Sequence, residues 1–230
     1  MFRYLLPVFF IFFYPLISKA QDVKQLMHQV KNKYYNVNDY TADFNMKTNV
    51  LFIKAPLAYV IVYYKKPDKL KIKNEKGVSF IPKGSVNINM NNVLGLNNFE
   101  AIASGVEKVN GADCKVIKIF PLSDNDNIIR ATLYIDEKQF LVMKSVISTR
   151  ESGTYELLMH YNKYATYGLP DKVEFTFNTK DYKLPKGISI DYDNGAGKEK
   201  NAAEKNRKGK VEIAYSNYVI NKGLTDSVFE

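Results

Sequence analysis

The chain has 230 residues, 46% of them hydrophobic, with 17 Tyr, 14 Phe, no Trp, a single cysteine and a formal net charge of +9. That length supports one domain with a substantial core. One cysteine excludes an internal disulfide framework, and the basic balance favours anionic surfaces as partners.

Residues 1–20 read as a secretory signal: Arg3 lies near the start, an apolar stretch covers 5–17, and Ser18-Lys19-Ala20 has small residues at the last and third-last positions. Pro7 and Pro15 interrupt the stretch, which is too short for a confident spanning helix. Cleavage after Ala20 is expected, leaving 21–230 as a single soluble domain that begins with Gln21. Loss of Arg3 and Lys19 lowers the charge from +9 to +7. Since the cleavage point is followed directly by Gln21 and not by a cysteine, an N-terminal lipid anchor is not expected. Cys114, among Val116, Ile117 and Ile119, reads as a buried strand thiol.

Val23, Leu26, Met27, Val30 and Tyr34 recur at helical spacing, so 22–35 is expected to be an amphipathic helix with Asp22 as its N-cap. From 40 to 52 the even positions Tyr40, Ala42, Phe44, Met46, Val50 and Phe52 are mostly apolar, while Asp43, Asn45, Lys47 and Asn49 lie between them. That is the period of a strand buried on one face. The run 57–64 is apolar on both faces and suits a strand covered from both sides. Lys65-Lys66-Pro67-Asp68 makes a turn, after which Leu70 and Ile72 alternate with Lys69, Lys71 and Lys73. These three successive strands form an antiparallel meander. The lysine face suits anionic headgroups or, more simply, solvent and protection of an edge.

Two more strands are expected at 78–81 and 86–90, around a Pro82-Lys83-Gly84 turn. From 91 to 111, Asn-rich punctuation around Val93, Leu94, Leu96, Phe99, Ile102 and Val106 suggests short helical pieces or a lid-like loop. Strands follow at 112–120, 129–136, 140–149 and 155–164, then one carrying Val173, Phe175 and Phe177 against Lys172, Glu174 and Thr176. Residues 191–210 are small and charged and read as a mobile, solvent-facing loop. A last strand at 211–219 puts Val211, Ile213, Tyr215 and Val219 on one face and Glu212, Ala214, Ser216 and Tyr218 on the other. Short strands at even spacing indicate an all-β sandwich or barrel-like sheet.

Catalytic and metal chemistry have little support. There is no Gly-x-Ser-x-Gly turn and no zinc-type histidine pair; His28 falls in the helix and His160 in a strand. A Cys114 and His160 dyad stays open on sequence. Asp191-Tyr192-Asp193-Asn194-Gly195 has part of a calcium loop, but Gly195 and Ala202 occupy positions that need oxygen ligands. Basic residues interleaved with aromatics superficially suit single-stranded nucleic acid, which a secreted chain does not meet.

In order, the signal peptide, amphipathic helix, D-Y-x-A-D-F strand, Y-K-K-P-D-K-L turn, Y-I-D-E strand and closing Y-V-I-N-K-G-L-T-D-S-V-F-E resemble the periplasmic outer-membrane lipoprotein carriers of the LolA/LolB superfamily. The resemblance covers essentially all of 21–230. It implies a mainly β fold with a few helices: a large, curved antiparallel sheet, an unclosed half-barrel, lidded by helices over an acyl-chain cavity. It further implies a periplasmic, non-enzymatic monomer without cofactors. Such a carrier takes acylated lipoproteins from an inner-membrane release complex to an outer-membrane acceptor.

On the more consistently apolar faces, the expected cavity residues are Leu26, Met27, Val30, Tyr34, Phe44, Met46, Val50, Phe52, Tyr59, Ile61, Tyr63, Leu70, Ile72, Leu94, Leu96 and Phe99. In the family a basic residue before the turn proline, usually arginine, bonds to the lid helices; its counterpart is Lys66, which lacks the planar fork of arginine. Two other readings stand beside the carrier: a lipid- or lipoprotein-sensing regulatory domain of the same fold, and an envelope lipid hydrolase.

Overall fold

The computed structural model describes residues 19–49, 58–67, 69–76, 90–123, 126–151, 153–178 and 208–230. They form α1 (Lys19–Tyr35), β1 (Asp39–Asn49), β2 (Ala58–Lys65), β3 (Lys69–Lys76), α2 (Asn91–Leu94), β4 (Phe99–Val109), β5 (Ala112–Pro121), β6 (Ile128–Asp136), β7 (Leu141–Thr149), β8 (Gly153–His160), β9 (Lys172–Asn178) and β10 (Lys208–Ile220). Short 3-10 helices lie at Ala165–Tyr167 and Asp226–Phe229.

All strands join one antiparallel sheet in the order β3-β2-β1-β10-β9-β8-β7-β6-β5-β4. The last strand inserts beside the first, and β3 and β4 do not pair among the described residues. The sheet is therefore open rather than a closed barrel, as expected. Period-2 alternation accounts for which side is buried: on β9, Val173, Phe175 and Phe177 are buried and the residues between them are not. Across β10, β1 and β2 the inward set continues as Val211 and Ile213, Phe44 and Met46, and Val60 and Val62. The stripe Val23, Leu26, Met27 and Val30 of α1 packs into the same core.

Gly209 of β10 lies directly across from Phe177, and a Cβ there would come within 2.5 Å of the phenyl ring. Glycine lets the ring lie on the backbone at this point.

Several expectations are corrected. Residues 99–109 form the strand β4 and not a loop or lid; a bulge between Ala103 and Val106 and the exposure of most of this strand erased the alternation. The helix begins at Lys19, so Asp22 lies in its first turn and is not an N-cap. β8 ends at His160, beyond which 161–164 turn towards the 3-10 helix instead of extending the strand. Lys208, Gly209 and Lys210 belong to β10 and not to the charged loop.

The two faces of β10 also exchange. One extra residue bulges opposite β1, with Asn217 at φ 53°. Tyr218 and Ile220 therefore pack on the core, whereas Val219 is exposed. Residues 1–18, the expected strand at 78–81, all of the expected strand at 86–90 except Met90, which lies in a turn, Val50, Phe52 and residues 191–207 lie outside the described residues.

Candidate functional site

The site is built from the concave face of the sheet and the helix that covers it. Four polar attachments hold α1 there. Lys115, on the inward side of β5, binds Asp22 at 2.6 Å and Glu137 at 3.1 Å, and its pKa is raised chiefly by the bond to Asp22. Lys33 donates to the Gln139 carbonyl at 2.6 Å, and burial lowers its ammonium pKa despite the nearby Asp136. The Tyr34 and Tyr161 hydroxyls meet at 2.6 Å, and Tyr161 donates onward to the Val142 carbonyl at 3.0 Å. Burial pushes Tyr34 up to about 12.

The fourth attachment is at the last residue of the helix, beside Lys33 and Tyr34. Lys66 Nζ donates to the carbonyl of Tyr35, the last residue of α1, at 3.1 Å. A cation on a C-terminal carbonyl satisfies an orphan acceptor and complements the helix dipole. The Lys66 backbone N–H adds a bond to the Asn38 carbonyl at 2.8 Å.

Beneath α1 the concavity is apolar and well filled. Phe44, Met46, Leu133, Leu157, Met159 and Phe175 are among its fully buried side chains. A small cavity of about 30 Å³ is enclosed by Tyr34, Tyr40, Tyr161, Tyr215, Tyr218 and neighbours. At the β4 side the cover is incomplete. There a groove of about 650 Å³ runs between α1, α2 with the residues after it, and the start of β4. Its apolar lining is Met27, Leu94, Leu96, Phe99, Ala101 and Ile102, and its polar lining is Lys24, His28, Lys31, Asn97, Asn98 and Glu100. A groove of that size with a mainly apolar floor can hold an acyl chain by buried area alone.

Of the expected cavity residues, Leu26, Met27, Val30, Phe44, Met46, Leu94 and Leu96 share one buried cluster. Tyr34, Leu70, Ile72 and Phe99 pack against it while partly exposed. Tyr59, Ile61 and Tyr63 are placed on the wrong face by the sequence reading. Phe44 pairs with Val60 and Ala42 with Val62, which turns the odd positions of β2 outward and leaves Tyr59 52% exposed. Nor is β2 covered on both sides. A run apolar at every position carries no parity signal, so register with β1 alone chose the face.

The residues missed are Val60, Val62 and Tyr64 of β2, the inward residues of β8, β9 and β10, and the polar rim of the groove. β9 and β10 did announce their inward faces by alternation. Lys24, His28 and Lys31 read as an ordinary solvated helix face until α2 and β4 were placed beside them.

The structure does not assemble the Cys114 and His160 dyad. Cys114 is on β5 and His160 on β8, with β6 and β7 between them in the sheet. The thiol donates to the Ala112 carbonyl at 3.6 Å, and burial raises its pKa to about 11. His160 bonds instead to Glu174 at 3.1 Å. Among the described residues no group of three or more His, Cys, Asp or Glu could hold a metal ion, and no helix is long and apolar enough to cross a membrane.

No family model matches the chain, and no curated protein matches it by sequence. Solved structures do match in fold. A DUF1329 family protein from Desulfovibrio piger is 12% identical, with a TM-score of 0.59 over 92% of this chain and 97% of that one. A domain from Vibrio parahaemolyticus described as an outer membrane lipoprotein-sorting protein is 10% identical, with a TM-score of 0.59 over 91% and 97%. A LolA superfamily protein from Nitrosomonas europaea is 8% identical, with a TM-score of 0.58 over 90% and 96%. The chain thus has the LolA-like fold expected from its sequence.

Proposed function

We propose that the protein is a periplasmic carrier that binds the acyl chains of lipoproteins between its curved sheet and α1 and carries them from the inner to the outer membrane. One observation carries the reading: among the described residues, an open sheet with a mainly apolar concave face is covered by α1, which leaves an apolar groove at its β4 side. The fold shared with the Vibrio parahaemolyticus sorting domain and the Nitrosomonas europaea LolA superfamily protein supports it.

Each acyl CH₂ that leaves water contributes about 0.8 kcal/mol, so binding requires area and no reactive group. One chain enters along the groove floor, past Met27, Leu94, Leu96 and Phe99. Further chains need α1 to swing away from Phe44, Met46, Leu70 and Ile72, and Lys66 is the latch that resists this. Residues 1–20 direct export and are removed, and 21–230 work as one soluble domain in the periplasm. A release complex at the inner membrane loads the carrier, and an outer-membrane acceptor unloads it, because a site built from buried area lets go slowly unaided.

Native mass spectrometry of the protein isolated from an envelope extract, followed by lipid analysis, tests the proposal. Near-stoichiometric acylated peptide or phospholipid is expected. A clean apo mass, together with failure to take up a fluorescent fatty acid, would show that the concave face is merely self-filled.

A further inference from the structure

The groove between α1 and β4 has one feature that acyl burial does not explain. Its helix wall presents Lys24, His28 and Lys31, one turn apart along a single face, directly above the apolar floor formed by Met27, Leu94 and Phe99. Lys24 makes no hydrogen bond or ion pair among the described residues. Lys31 lies 5.3 Å from the centre of the Tyr35 ring, and His28 Nδ1 accepts from the Asn32 side-chain amide at 3.2 Å. The lining has one acidic group, Glu100 of β4. Asp22, the nearest carboxylate on the helix, is already engaged by Lys115. Two lysines against one carboxylate leave the rim net positive, and the amides of Asn97 and Asn98 add donors.

Resting on the acyl-binding reading, we propose that this groove selects for headgroup charge: it takes an acyl lipid whose headgroup is net negative, a phosphate diester with no compensating cation, such as phosphatidylglycerol. The tail lies on the Met27, Leu94 and Phe99 floor, and the phosphate sits on the Lys24 to Lys31 rim. Seven residues of helix span about 10 Å, so the rim is long enough to place a headgroup at the mouth while the tail runs inward. A lysine ammonium suits this task, since it offers a point charge with rotatable donors to a ligand that enters and leaves.

The test measures calorimetric binding of short-chain phosphatidylglycerol and phosphatidylcholine with identical tails to the intact protein. The anionic lipid is expected to bind about tenfold more tightly, as two nearby lysines predict. That preference should shrink when ionic strength rises from about 0.01 M to about 0.5 M. Lys24→Gln with Lys31→Gln should remove the preference, while Lys24→Arg with Lys31→Arg should retain it. Equal binding of both lipids by the unmodified protein overturns the headgroup inference and leaves acyl binding standing. Binding of neither lipid overturns both. Equally tight binding of the glycerophosphoglycerol headgroup alone would show an anion site independent of the groove floor and would also overturn the inference.

Discussion

Glu174 sits between strands on the outer face of the sheet with three cationic or protonatable partners: Lys210 at 2.6 Å, Lys172 at 2.9 Å and His160 at 3.1 Å. Hydrogen bonds from Lys210 and then Lys172 hold its carboxyl at about 2, below the ordinary 4.5. A carboxyl whose folded pKa is depressed contributes stability above its ordinary value, and that stability is lost as pH falls towards 2. Both lysines are substantially exposed, so Glu174→Gln should cost only about 1 kcal/mol at neutral pH. Urea unfolding across the acid range checks this: the difference between the native protein and the variant should close between pH 4.5 and about 2. A constant difference would mean that the pair adds nothing electrostatic. The alternation K-V-E-F-T-F already put Glu174 on the outer face, but only pairing of β9 with β8 and β10 brought the cations to it.

At the scale of elements, α1 is the part whose attachment governs access. Its buried stripe was legible from 3.6-residue spacing alone, and its contacts with Lys115, Gln139 and Tyr161 were not, because those partners lie about 90 to 130 residues away. Lys66 is the simplest attachment to remove. Lys66→Met should cost about 1 kcal/mol, as expected for a half-buried cation on a helix C-terminus, and should speed amide hydrogen exchange in α1 more than in β6 and β7. Uniformly faster exchange would show that Lys66 supports global stability instead of the helix.

The closing segment is an element of the same kind. Buried Asp39 accepts from the N–H groups of Lys222 and Gly223 at 3.0 to 3.2 Å, and Asn221 Oδ1 accepts from Asn38 N–H at 2.6 Å. Asn221 and Gly223 both take positive φ there, which accounts for Asn and Gly in the N-K-G turn. The segment then reaches Asp226, which pairs with Lys65 and Lys69 of β2 and β3.

At the scale of the molecule, ligand binding and fold stability are linked. A ligand that binds only the folded carrier at one hundred times its dissociation constant adds about 2.7 kcal/mol. For a domain of this size that raises Tm by roughly 5 to 10 °C. Thermal scans with a saturating long-chain fatty acid should show such a rise, growing with chain length. No rise at any chain length would argue that the filled core under α1 does not open to acyl ligands.

What the sequence determined was whatever depends on near neighbours: the amphipathic stripe of α1, the inward sides of β1, β9 and most of β10, and a fold that is largely antiparallel sheet. Periodicity encodes a face wherever one side of an element is buried and the other wet. Tertiary structure decided the rest. The apolar run of β2 had no parity until it paired with β1, the Asn217 bulge reversed the end of β10, and the exposed strand β4 had no apolar alternation to reveal it. The basic rim over the groove exists only because α1, α2 and β4 converge, and spacing along one helix cannot say what a lysine faces across it.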